Sequence, residues 1–128
     1  MAYEVPSLMI TVEAGSDLSS DQFKIVALAS DGQIDVVTTT STLPVLGVLQ
    51  NKPSAAGKAA EVMTSGVSKM IAGETIAPGE FVCPSSVTAG RVDDADTATD
   101  RIIGTALTGG DAGELISVLL HSSGAQLP

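Results

Sequence analysis

Ala14-Gly15-Ser16-Asp17-Leu18-Ser19-Ser20-Asp21-Gln22-Phe23-Lys24-Ile25-Val26 has an echo later in the chain, Ala72-Gly73-Glu74-Thr75-Ile76-Ala77-Pro78-Gly79-Glu80-Phe81-Val82. Ala-Gly opens both stretches, an aliphatic residue stands three positions after the Gly (Leu18, Ile76), and an amide or acidic residue precedes Phe. Gly15 and Gly73 lie 58 positions apart, and so do Phe23 and Phe81, the only two Phe residues of the sequence. A repeated phrase at a fixed spacing predicts a duplicated structural unit. Each copy then starts at an Ala-Gly turn and sends one Phe into a shared core.

Around these phrases the chain reads as short strands. Leu8 to Val12, Phe23 to Leu28, Gln33 to Thr38, Pro44 to Gln50 and Lys58 to Thr64 carry the first set. Val67 to Ile71, Phe81 to Pro84, Arg101 to Leu107 and Glu114 to Leu120 carry the second, with Val87 to Val92 as a hairpin and its return. Ser30-Asp31-Gly32 is a hairpin signal, because Asp-Gly accepts the positive φ of a tight turn. Ser65-Gly66 reads as another turn. Gly47 and Gly104 sit inside strands, 57 positions apart, where a missing side chain marks a bulge or a close backbone approach. Turn residues recur about every eight to twelve positions, the spacing of antiparallel sandwiches and barrels. Thirteen Gly and six Pro disfavour long helices. The expected fold is all-β: a compact antiparallel β-barrel or sandwich built from an internal duplication, with little helix. Its expected parts are an N-terminal arm over 1–7, one domain over 8–120 with copies near 8–65 and 66–120, and a flexible tail over 121–128.

With 128 residues the chain can bury one real core. That core is aliphatic, since apolar residues make up 44% but aromatics 2%, with no Trp. Few stacking platforms, six Lys and Arg and a net charge of −9 argue against nucleic acid and against an anionic membrane surface as partners. No stretch reads as a membrane span or a cleaved signal, so a soluble protein made in the cytoplasm is expected. Cys83 is the single Cys, which excludes an intrachain disulfide and reads as a small buried hydrophobe.

Catalytic signatures do not assemble. His121 is the only His and falls after the last expected strand, and no Gly-x-Ser-x-Gly elbow or phosphate loop occurs. Asp94, Asp96 and Asp100 offer hard oxygen ligands, but an EF-hand counted from Asp94 would need Gly and Glu where Thr99 and Thr105 stand. Lys52 lies on a loop without the flanking residues of a lipoyl or biotinyl site. No enzyme activity, cofactor or metal is expected.

Three phrases carry a resemblance: Thr11-Val12-Glu13-Ala14-Gly15-Ser16-Asp17-Leu18 followed by Phe23; Leu46-Gly47-Val48-Leu49-Gln50-Asn51-Lys52-Pro53 leading to Ala55 and Gly57; and Glu61-Val62 through Gly66-Val67-Ser68-Lys69 into Ala72-Gly73. Together they resemble the capsid decoration, or head cement, proteins of tailed bacteriophages. The resemblance implies a virion protein, made in the host cytoplasm, on the outer surface of the expanded head. It implies a homo-oligomer, a trimer before others, that bridges major capsid subunits and stabilises the shell. Tyr3, Val5 and Pro6 of the arm and Asn51, Lys52 and Pro53 of the loop are the expected capsid or inter-subunit contacts. A second reading rests on Ala72 to Glu80, which resembles the Ala-Gly-Glu-x-Ile phrase of β-clip ligand-binding modules attached to sugar-acid enzymes.

Overall fold

Short apolar runs between Gly-, Ser- and Asp-rich turns become strands. The computed structural model describes residues 2–41, 43–96 and 100–121. The described residues form nine strands and no helix: β1 (Val5–Ala14), β2 (Ile25–Leu28), β3 (Gln33–Val36), β4 (Val45–Leu49), β5 (Ala59–Ile71), β6 (Phe81–Pro84), β7 (Val92–Asp94), β8 (Gly104–Ala106) and β9 (Leu115–Leu120). They make one sheet in the order β1-β3-β2-β4-β5-β9-β8-β6-β7, and β1 pairs again with β5. That extra pairing closes β1, β3, β2, β4 and the first half of β5 into a small barrel. The second half of β5 with β9, β8, β6 and β7 forms another, closed by a single bridge between Ala72 and Val92. Pairing is antiparallel except at β1–β3 and at that bridge, so each copy closes with one parallel contact.

The duplication is written in the backbone bonds. Gly15 donates its N–H to the Ile34 carbonyl at 2.8 Å, and Gly73 donates to Val92 at 2.7 Å. A Cβ on Gly15 would strike Asp35, and one on Gly73 would strike Asp93. Donor, acceptor and obstructing side chain all shift by the same 58 positions. Across β1–β5, Val12 faces Ala60 and Ile10 faces Val62; across β5–β9, Met70 faces Ile116 and Ser68 faces Val118. β1 therefore corresponds to the second half of β5, and the first half of β5 corresponds to β9. One strand ends the first copy and begins the second.

The Phe correspondence fails. Phe23 donates its N–H to the Leu49 carbonyl, and the residue making this bond in the second copy is Gly79, to Ala106, both at 2.7 Å. Phe23 and Gly79 also share a positive φ, 69° and 90°. Phe81 takes the place of Ile25: the Ile25 carbonyl accepts from Val37, and the Phe81 carbonyl accepts from Ala95. The first copy has two more residues before β2 than the second has before β6. The second repays them in its β6–β7 hairpin, where Ser85 bonds Arg91 against Ala29 to Gln33 in the first. The two shifts cancel, so 58 returns at β3 and β7. Neither Phe fills the core: Phe81 is 42% exposed, and Phe23 lies under the Lys69 ammonium, 5.6 Å from its ring centre.

Equivalent positions fill the two interiors. Ala14, Leu18, Val26, Ile34, Leu49, Ala60 and Val62 make the first cluster. Ala72, Ile76, Val82, Val92, Ala106, Ile116 and Val118 stand at the matching positions of the second. Leu49 and Ala60 give way to Ala106 and Ile116, a large-for-small exchange that keeps the filled volume nearly constant. The second cluster also takes in Ile25, Ala27, Val37 and Val48, the outward side chains of the first copy. Each such aliphatic side chain, fully buried, contributes roughly 1.5–3 kcal/mol, so the two copies share one core.

Two expected boundaries move. β1 begins at Val5, so residues 5–7 of the expected arm are sheet. Ser65-Gly66 is no turn: β5 runs through it for 13 residues. Gly66 makes this possible with a φ of 108°, packed against the Val5 carbonyl at the β1–β5 register shift. Of the expected tail, 122–128 lie outside the described residues.

Candidate functional site

Residues with reactive chemistry are spent on structure. The Cys83 thiol is pushed up to about 12, first by burial and then by the carboxylates of Asp100, Asp93, Asp96 and Glu74. It packs with Ala95 and Ile102, and the thiolate needed for nucleophilic work is scarce at neutral pH. His121 Nε2 lies 2.9 Å from Thr105 Oγ1, and its ring meets Phe81 edge-on at 6.1 Å. Among the described residues no three of His, Cys, Asp and Glu are placed to hold a metal ion. Asp94 is pushed up to about 6 by burial, then by a hydrogen bond to Glu80 and by the charges of Glu80, Asp96 and Glu74. These carboxylates repel one another at the surface. Thr97 to Thr99 of the acidic loop lie outside the described residues.

The Ala72 to Glu80 phrase is structural as well. Ile76 is buried and exchanges both backbone bonds with Gly110, while the Glu80 carboxylate caps the Ala77 N–H at 2.6 Å. A cleft of about 110 Å³ runs between the copies, lined by Val45, Gly47, Met70, Ile103, Leu120 and His121 among others. It is small beside the roughly 300–1,000 Å³ of most ligand pockets.

The six expected contact residues fall in two places. Tyr3 is tied to β9: its N–H reaches Ser117 Oγ, and its carbonyl accepts from the same hydroxyl at 2.7 Å. Its side chain stays 44% exposed. Val5 pairs with Val67 and Pro6 with Gly66, both exposed at the start of β1. In the loop, Asn51 uses its amide on the backbone, donating to the Ala59 carbonyl and accepting from the Glu61 N–H. Pro53 is buried, and its carbonyl accepts from Leu18. Lys52 is the outward group of the three.

A larger surface feature escaped sequence reasoning. Phe81 faces Thr105, Thr105 faces Leu119, Leu119 faces Val67 and Val67 faces Val5. Directly paired residues present their side chains on one face. The five therefore form a row across β6, β8, β9, β5 and β1, in which Phe81 and Leu119 are each 42% exposed and Val5 is 58% exposed. The arm residue Tyr3 lies beside it on Ser117. One signal was present: Leu115-Ile116-Ser117-Val118-Leu119-Leu120 carries Leu on both of its faces, with Ser117 as its one polar residue, which a strand with one face in water does not need.

No protein-family model matches the chain, and no curated protein matches it. Among solved structures it is similar to the N base of the head fiber gp8.5 in bacteriophage phi29. That likeness has a TM-score of 0.64 at 18% identity, over 94% of this chain and 98% of the other. It is a likeness of fold, covering both copies.

Proposed function

We propose that this chain is a structural protein of a bacteriophage virion that binds the outer face of the head. It bridges neighbouring major capsid subunits and stabilises the expanded shell. The observation that carries this reading is the two-barrel fold, which is similar along nearly its whole length to a protein of a phage head fiber. The surface supports it. The side chains with reactive chemistry are buried, bonded or electrostatically suppressed. Tyr3, Val5, Pro6 and Lys52 are the contacts left exposed for the shell. Binding of this kind works by number: many copies, each burying a modest area on two subunits, sum to a mechanically firm shell.

The test mixes the purified protein with expanded, undecorated heads and images them by cryo-electron microscopy. Density for the two barrels over joints between capsid subunits is the expected result. Heads that stay bare at saturating protein would end this reading. No observation favours the sugar-acid module, since the phrase suggesting it is engaged in backbone closure.

A further inference from the structure

In the first copy the row equivalent to Phe81–Thr105–Leu119–Val67 is Ile25–Val48–Met63–Met9. The two rows occupy the same place on their barrels and differ in burial over their first three members. Ile25 and Val48 are wholly buried and Met63 is 1% exposed, and only Met9 at the end of that row is exposed, whereas Phe81 and Leu119 each keep 42% of their surface in solvent with Thr105 half-buried between them. The second copy covers the β2 and β4 part of the first row, packing Ile25 and Val48 into its own cluster. Its β6–β7 hairpin locks on beside them. The Gly90 carbonyl accepts from Ile25 at 3.0 Å, and the Gly90 N–H is given to Val37 at 2.9 Å.

The hairpin equivalent to Gly90's is the β2–β3 turn at Gly32. It has the same positive φ, 84° against 78°, and a Cβ on Gly32 would meet nothing within 4 Å. Each chain thus carries one used and one unused half of the same contact: an uncovered row on the second copy and an unseated hairpin on the first. We infer that a second copy of this chain covers the Phe81–Leu119 row, head to tail, with its Gly32 hairpin standing where Gly90 stands within the chain. The contact is heterologous, so it closes into a ring when the rotation between chains permits. Charge sets its conditions. Glu80 takes the place of Lys24, and an incoming Asp31 meets a carboxylate where Gly90 meets the Lys24 stem. With a net charge of −9 on each chain, salt strengthens the association by screening.

Sedimentation of the full chain between about 1 and 100 µM, at low and at roughly physiological or higher salt, reads the result. A concentration-dependent oligomer that strengthens with salt is expected. Phe81→Asp and Leu119→Asp weaken it at least tenfold with an unchanged circular-dichroism spectrum, and Val87→Asp, on an exposed residue outside the row, leaves it intact. In a Cys83→Ser background, mixing Ser30→Cys chains with Thr105→Cys chains gives a disulfide-linked dimer faster than either variant alone. A chain that stays monomeric throughout overturns the inference, and so does cross-linking that is as fast for Thr105→Cys alone, which would mean row-to-row contact. A monomer whose head binding is lost on Phe81→Asp assigns the row to the shell instead, leaving the capsid reading in place.

Discussion

A methyl group on Gly66 would sit 2.5 Å from the Val5 carbonyl and 2.6 Å from the Ser7 nitrogen, at a φ of 108° that side chains rarely adopt. Gly66→Ala is therefore expected to cost about 3 kcal/mol or more, combining backbone strain with a clash against main chain. Gly32→Ala meets open space and carries only the left-handed penalty, roughly 1 kcal/mol. Urea denaturation of the two variants separates the terms. Asp94 gives a prediction of the opposite kind. Its folded pKa of about 6 lies above the ordinary carboxyl value of 3.8, so folding favours the protonated form. That stabilisation is complete below about pH 4 and is lost as pH rises through 6. Asp94→Asn should leave the melting temperature unchanged near pH 4 and raise it at pH 7.5. Cys83, with its thiol pushed up to about 12, should be alkylated far more slowly than a free thiol in native buffer and at the ordinary rate in denaturant. Several of these residues were readable beforehand. Gly47 and Gly104 announce close backbone approaches because a missing side chain inside a strand marks them, and Gly15 and Gly73 announce the turns that open the two copies. Phe23 was misread because a bulky residue occupies a positive φ that its counterpart fills with Gly79.

Among the elements, the loop from β4 to β5 shows how a contact residue and a fold residue can sit side by side. Asn51 stands in for a strand, bonding Ala59 at 3.0 Å and Glu61 at 2.9 Å. Asn51→Ala should destabilise the protein by about 1–2 kcal/mol, measured by thermal denaturation. Lys52→Ala should leave stability unchanged and lower occupancy on expanded heads; full occupancy would remove the loop from the shell contact. Sequence could not tell the two apart, because both lie in one polar, turn-forming run, and only the register of β5 decides which side chain turns back. β5 itself was legible as two strands and not as one. Ser65-Gly66 has the composition of a turn, and the pairing that carries the backbone straight through it comes from Val5 and Pro6, some 60 positions away. Beyond the apolar composition of β9, the outward row was hidden for the same reason. Its five members come from five strands, and cross-strand register is not written in any local stretch.

In the whole molecule, the barrels are two by pairing and one by packing. Ile25 and Val48 leave the surface of the first barrel to join the cluster of the second. Half of β5 belongs to each copy. Equilibrium unfolding should therefore be a single cooperative transition, coincident by circular dichroism and by fluorescence of Tyr3. A fragment ending at Ser65 should remain unfolded, because it exposes that row and lacks the second half of its longest strand; a dispersed NMR spectrum from it would show the copies to be independent. The duplication was legible because turn chemistry tolerates few residues. The sharing of a core was not, because Ile25 and Val48 read like any other alternating strand residues.

The single backbone of β5 has a mechanical meaning as well. Two domains joined by a linker part at the linker when pulled, since the weakest join yields first. Here tension applied to one barrel enters the other along a continuous covalent strand, flanked over one half by the β1 ladder and over the other by the β9 ladder. Both ladders would be strained along their length, so several hydrogen bonds must fail together instead of opening one at a time. A protein so built passes a pull from one end of itself to the other without a hinge.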